Sequence, residues 1–307
     1  MSASSHGVQR IVLGTVLIAA LGLISGHLQA ESVSLEHDGL ILLGHYEPPP
    51  EGAPVVLMLH GTLAHDEMEI MSTLRDVFVE EGWGALTVSL SLGESERRGM
   101  YPCESLHRHR ATDATTELAL WRDWLGRRGV DRVVLLGHSR GALQMARYAV
   151  AGEDPATEAL VLVAPPTASA DGRAARYQAR FGVDLDARLA EAEALVATGR
   201  GDQPMPRVGF LYCEDATVTA ESFVSYYGPE SEIGAGALIE KAPYPVLVVA
   251  GSEDEVAGNL VAALAAGLRP PRQLLIEIEG ADHFFRDLYA YDLVEAVIGF
   301  VDDMAAP

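Results

Sequence analysis

Apolar residues along this chain fall into short runs of two kinds, and the alternation between them predicts the architecture. "APVVLMLHG" (53–61), "DRVVLLG" (131–137), "EALVLVAP" (158–165) and "YPVLVVAG" (244–251) are continuous and rich in Val and Leu, the pattern of strands buried on both faces. "GLILLGHY" (39–46), "GALTVSL" (84–90) and "RQLLIEIEG" (272–280) read as further strands. Between them lie stretches of helical period. In 66–82, Met71, Leu74 and Phe78 share a face and Gly82 supplies a stop. In 112–128, Leu118, Trp121 and Leu125 do the same, with Asp113 well placed in the first turn. "ALQMARYAV" after residue 141, a segment near 256–267 and a terminal one over about 284–303 complete the set. Strands interleaved with helices of this length need right-handed crossovers, so the expected fold is α/β, a mainly parallel, doubly wound sheet covered on both faces.

Residues 166–241 break that rhythm. They hold helical "LDARLAEAEALVATG" and aromatic-rich "GFLYCEDATVTAESFVSYYGPE", with no strand-helix pair of the earlier kind. The stretch reads as a helical cap inserted into a domain running from 31 to 307. Ahead of that domain, Arg10, the apolar "IVLGTVLIAALGLI" and the small-residue site "LQA" have the order of a secretory signal peptide, residues 1–30, cleaved after Ala30. An uncleaved anchor is the alternative, and the apolar stretch is barely long enough to cross a core of about 30 Å. The expected location is periplasmic or secreted, with membrane attachment only if the segment is retained.

Charge removes one class of partner. With 44 acidic against 22 basic residues and a net charge of −22, the chain lacks the concentrated positive charge of nucleic-acid binders. The two cysteines, Cys103 and Cys213, are an even count in a compartment that permits pairing. A disulfide is expected, with two separate buried thiols as the alternative.

The chemistry-bearing stretch is "VVLLGHSRGAL", where Ser139 stands between Gly137 and Gly141 at the junction of a buried strand and a helix. A lone G-x-S-x-G is weak evidence, but this is the strand-to-helix elbow that a nucleophilic serine uses. Such a serine needs a base and the base an orienting acid. Asp254, in "GSEDEV", and His283, in "GADHFF", follow two successive strands. Carboxyl ends of parallel strands share one edge, so Ser139, Asp254 and His283 should converge there. Glu253, Asp282 and Asp287 compete for the acid's role; Asp254 is preferred because its loop follows the strand next to that preceding His283. "HGT" at 60–62 reaches the same edge, where a backbone N–H of Thr62, or of Leu63, together with that of Arg140 would form an oxyanion hole.

With "HGT", "GHSRG", the insertion, "GSED" and "GADHFF" in that order, residues 33–303 resemble the α/β-hydrolase superfamily, most closely its serine-aminopeptidase and monoacylglycerol-lipase-like branch. The resemblance implies a Ser139, His283, Asp254 triad, no cofactor and no metal. The implied substrate is a small acyl ester or thioester, with an amidase, a peptidase or a non-catalytic binding protein of the same fold as alternatives. "HGT" lacks the glycine-rich run of some lipases, which leaves the second oxyanion donor open. A serine nucleophile, where some branches carry aspartate, argues against dehalogenase or epoxide hydrolase chemistry.

Three other features invite function. Cys103, His107, His109 and His65 do not match zinc spacings. The stretch is read first as a solvated, partly basic loop at the pocket mouth; Arg97, Arg98, Arg108 and Arg110 are the alternative, meeting an anionic substrate group, with surface ion pairs as the ordinary reading of them. Phe210, Tyr212, Phe223, Tyr226 and Tyr227 either line an acyl pocket or pack the cap.

Overall fold

The computed structural model describes residues 30–167, 170–229 and 234–306, without the side chains of 170 and 171. The expected signal segment, Ala30 apart, lies outside the described residues. No described helix is long and apolar enough to cross a membrane.

One eight-stranded sheet organises the chain. In sequence its strands are β1 (Glu31–His37), β2 (Leu40–Glu47), β3 (Val55–Leu59), β4 (Gly84–Ser89), β6 (Val133–His138), β7 (Thr157–Val163), β10 (Val246–Gly251) and β11 (Gln273–Ile278). In space they run β1-β2-β4-β3-β6-β7-β10-β11. From β4 onward every neighbour is parallel; β2 joins antiparallel to β4 and to β1.

The Val and Leu runs explain both layers of core. Along β3, Val55, Leu57 and Leu59 enter one cluster and Val56 and Met58 the other, since successive side chains point to opposite faces. The first face takes α2 (Asp113–Arg127) and α3 (Arg140–Ala151), with Trp121 and Met145 fully buried. The second takes α1 (Glu69–Glu80) and α9 (Tyr289–Ala305), through Phe78, Leu293 and Val297 among others.

Departures from expectation have local causes. β1 was not anticipated because, as an edge strand, it buries only Val33. α9 begins at Tyr289, not near 284, because Phe285 and Asp287 adopt φ of 47° and 55°, outside the helical range. The 256–267 segment is reduced to α8 (Leu260–Leu264) and a following 3₁₀ turn, since Gly258 at φ 66° delays its start.

The insertion is not wholly helical. Besides α4 (Ala170–Phe181), α5 (Leu185–Ala197), α6 (Ala220–Tyr227) and α7 (Ala235–Lys241), it contains a hairpin of β8 (Pro204–Phe210) and β9 (Cys213–Thr219). β9 also pairs in parallel with β5 (Leu106–His107), a short strand from outside the insertion. The hairpin was hidden because Pro204 and Pro206 dilute β8 and its turn is Leu211-Tyr212, with Leu211 at φ 58°, where Asn-Gly would be the usual signal.

Cys103 and Cys213 form the expected disulfide, with Cα atoms 5.5 Å apart and a sequence separation of 110. It ties the segment leading into β5 to the first residue of β9, reinforcing the seam between the sheet domain and the cap. Closing so long a loop removes much freedom from the unfolded chain. The double variant Cys103→Ser/Cys213→Ser is expected to lose about 4 to 5 kcal/mol of unfolding free energy in the chain-entropy account, read by urea unfolding beside the oxidised protein; equal midpoints would refute this.

Candidate active site

The strand-to-helix turn after β6 sets the site. Ser139 has φ 54° and ψ −125°, a conformation that a non-glycine residue adopts only when its surroundings enforce it. Here Ser139 N–H donates to Val163 O at 2.8 Å and Ala142 N–H to Ser139 O at 2.9 Å. The flanking glycines are sterically required. A Cβ at Gly137 would lie 2.4 Å from Gly141 O, and one at Gly141 would lie 2.2 Å from His60 O.

That second clearance brings the loop after β3 against the serine; a Cβ on Gly61 would sit 3.3 Å from that of Ser139. Thr62 lines the same cleft as Ser139, and Leu63 is turned at φ 53°. The loop is held from outside. His60 Nε2 accepts Leu90 N–H at 3.1 Å, which leaves the ring proton on Nδ1 to donate to Gly61 O at 2.8 Å. Arg97, only 5% exposed, donates to Ala64 O at 2.7 Å, Leu90 O at 2.6 Å and Gly99 O at 2.6 Å, and reaches His60 Nε2 at 3.3 Å. Tyr101 N–H takes Leu63 O at 2.8 Å. The expectation of a solvated basic loop at Arg97, like its alternatives of a substrate contact or a surface ion pair, is therefore corrected. Arg97 is buried and fastens the loop after β3.

At the ends of the adjacent strands β10 and β11, the loops carrying Asp254 and His283 are bonded together. Glu253 N–H donates to Ala281 O at 3.0 Å and Gly280 N–H to Ser252 Oγ at 2.8 Å. His283 Nδ1 and Asp254 Oδ2 are 2.8 Å apart, and Asp254 Oδ1 accepts the N–H groups of Val256 and Ala257, each at 2.8 Å. Both residues are buried. With the proton on Nδ1, Nε2 is the basic nitrogen of His283. Of the competing acids, Asp282 instead pairs with Arg286. His138, unremarked in the sequence, donates from Nε2 to His283 O at 2.8 Å and so fixes the backbone beneath the histidine. Its place beside the serine was the only available signal.

Ser139 and His283 open onto one cleft of about 350 Å³, also lined by Thr62, Met68, Met100, Arg140, Arg180, Tyr212 and Phe284 among others. Of the cap aromatics only Tyr212 reaches it. Phe210, Phe223, Tyr226 and Tyr227 are buried and pack on one another in tilted and edge-on contacts. Cys103 is in the disulfide, and His107 and His109 pair with each other at 3.2 Å and, through His109, with Tyr226 Oη at 2.9 Å. Among the described residues, His45, Asp66 and Glu67 bring possible ligand atoms within 4.8 Å. Those atoms already serve one another, Ser89 and Arg75.

The parallel sheet, with its serine elbow, acid loop and histidine loop on one edge, defines the α/β hydrolases as a class. The chain belongs to the Alpha/beta hydrolase family, whose model matches residues 56–296. Among solved structures, it is similar to Est1E from Butyrivibrio proteoclasticus, with 18% identity, 90% of this chain and 99% of that one covered, and a TM-score of 0.62. Est1E with ferulic acid bound gives 20%, 90%, 100% and 0.63. The alpha/beta hydrolase GrgF from Penicillium sp. sh18 gives 16%, 91%, 100% and 0.64. At these identities the likeness establishes the fold. No curated protein matches the sequence.

Burial keeps three histidines around this edge neutral. His60 is pushed down to about 3, by burial and then by Arg97; His109 to about 3, by burial and then by His107; His138 to about 4, by burial and then by His283. Unfolding frees each to take a proton below its ordinary value of 6.5. Their contribution to stability is intact above that value and declines as pH falls from it, toward about 3 for His60 and His109 and about 4 for His138, by up to about 1.4 kcal/mol per pH unit for each histidine. Urea midpoints measured at about pH 7.5 and about pH 5.5 should differ, with the acidic sample less stable; coincident curves would disprove the buried-neutral assignment.

Proposed function

We propose that this protein is a serine hydrolase that cleaves a small ester or thioester. Ser139 Oγ attacks the acyl carbonyl while His283 Nε2 takes its proton, and Asp254 orients the imidazole and stabilises its charged form. The backbone N–H of Arg140, with that of Thr62 or Leu63, receives the developing oxyanion. His283 returns the proton to the leaving group, the acyl group stays on Ser139, and water admitted through the cleft releases the acid. No cofactor enters the cycle.

The observation that carries this reading is the 2.8 Å bond from His283 to Asp254 at the edge where Ser139 occupies its strained elbow. The ester preference is supported by the fold likeness to Est1E, a structure of which holds ferulic acid. The cleft, near the lower end of ligand-pocket volumes, suits a short-chain or single-ring acyl group. For location we propose export to the periplasm or beyond through residues 1–30, in keeping with the disulfide.

A fluorophosphonate probe should label the folded protein, and Ser139→Ala should abolish labelling. Asp254→Asn should keep the fold while lowering kcat by roughly 10³- to 10⁴-fold. No labelling, or equal labelling of Ser139→Ala, sinks the nucleophile assignment and leaves the binding-protein alternative. Turnover of anilides above that of matched esters would move the activity to the amidase class.

A further inference from the structure

Of the four arginines weighed for an anionic substrate group, Arg97, Arg98, Arg108 and Arg110, none lines the cleft. Arg97 is buried in the fastening of the loop after β3, and Arg110 pairs with Glu221 at 2.8 Å. Two others line the cleft itself, Arg140 and Arg180, while none of its described lining residues is Asp or Glu. Arg140 belongs to the sheet domain, immediately after Ser139, with Cζ 5.2 Å from the centre of the Tyr226 ring. Arg180 belongs to α4 of the cap. It donates to the backbone oxygen of Tyr212 at 3.3 Å, and its Cζ lies 5.6 Å from the Phe181 ring. These contacts position both guanidinium groups, and among the described residues neither forms an ion pair. Arg122 and Arg132, by contrast, hold Asp154 and Glu158.

We propose that Arg140 and Arg180 form an anion subsite, and that the ester cleaved at Ser139 carries a carboxylate or phosphate group. This rests on the serine-hydrolase reading above. A guanidinium offers a planar fork that fits either oxyacid with two parallel hydrogen bonds. Arg140 is half-buried at the foot of the cleft and Arg180 is exposed at its rim, so water screens the attraction more at Arg180 than at Arg140. The net charge of −22 opposes the approach of any anion. A preference for charged esters would therefore have to come from cations at the site, and these two line it. One comes from each part of the fold, so an ester bound by both also bridges the cap and the sheet domain.

The test uses three matched substrate pairs. One carries a carboxylate on the acyl side, 4-nitrophenyl hydrogen glutarate against its methyl ester. A second carries it on the leaving group, 4-acetoxybenzoate against 4-acetoxybenzamide. The third carries a phosphate there, 4-acetoxyphenyl phosphate against its dimethyl ester. For at least one pair, the ratio of kcat/KM for charged over neutral ester is expected to fall about two- to fivefold in Arg180→Gln, with Arg180→Lys retaining part of it. Comparing the ratio between variant and wild type cancels the intrinsic reactivity of each ester. The pair that responds identifies which oxyacid is read and on which side of the scissile bond. If Ser139 takes the fluorophosphonate and the neutral esters turn over, but no ratio moves in Arg180→Gln, the subsite is overturned and the hydrolase reading stands. If Ser139 takes no probe and no ester turns over, both are overturned.

Discussion

The turn at Ser139 constrains the rest of the molecule because three backbone segments meet there with no space for a side chain. Gly137 presses on the first turn of α3, and Gly141 presses on the carbonyl of His60 at the end of β3. This close approach is tolerable only if β3 and β6 are adjacent, parallel and in fixed register, which their pairing from Val55–Val133 to Leu59–Gly137 provides. The order of the central sheet and the position of the loop after β3 are thus parts of one steric solution. A serine at φ 54° is strained, and the surrounding sheet, buried on both faces, supplies the packing that holds it.

Around this centre, the strap from Arg97 to Ala111 carries the load between the loop after β3 and the cap. Its first half grips the loop, through Arg97 to Ala64 and Tyr101 to Leu63. Its second half grips the cap, through the Cys103–Cys213 disulfide, the pairing of β5 with β9, the bond from Ser222 Oγ to His109 O and that from Ala111 N–H to Ser225 Oγ. Cys213 directly follows Leu211 and Tyr212, the hairpin tip that walls the cleft. The pocket wall and the loop after β3 therefore share a covalently anchored support, and the cap is less a separate lid than an extension of the strap.

What the sequence revealed, and what it hid, follows from the kind of burial each residue experiences. β3, β6, β7 and β10 were legible because strands covered on both faces need continuous apolar runs. β1 buries one side chain and β8 carries two prolines, so neither leaves a periodic trace. Asp254 and His283 were legible because parallel topology places the ends of neighbouring strands together, and β10 and β11 are neighbours. The burial of Arg97 was not legible because a buried guanidinium satisfied mostly by backbone carbonyls has no signature in side-chain identity. Its partners, Ala64, Leu90 and Gly99, could have been almost any residues.

Arg97 and the histidines near it solve the same burial problem in opposite ways. A histidine taken out of water gives up its proton, and His60 does so, with Nε2 left free to accept Leu90 N–H. An arginine keeps its proton even though burial lowers its proton affinity, because the starting value is so far above neutrality. It must therefore be given acceptors, and the chain supplies three carbonyls and that same His60 nitrogen. The pairing works only while His60 is neutral. A proton on Nε2 would displace Leu90 N–H and set a second cation beside the guanidinium, so the charge on Arg97 is itself part of what keeps His60 unprotonated. The loop that presents Thr62 is therefore held by one permanent charge and one ring whose neutrality burial sets and that charge reinforces.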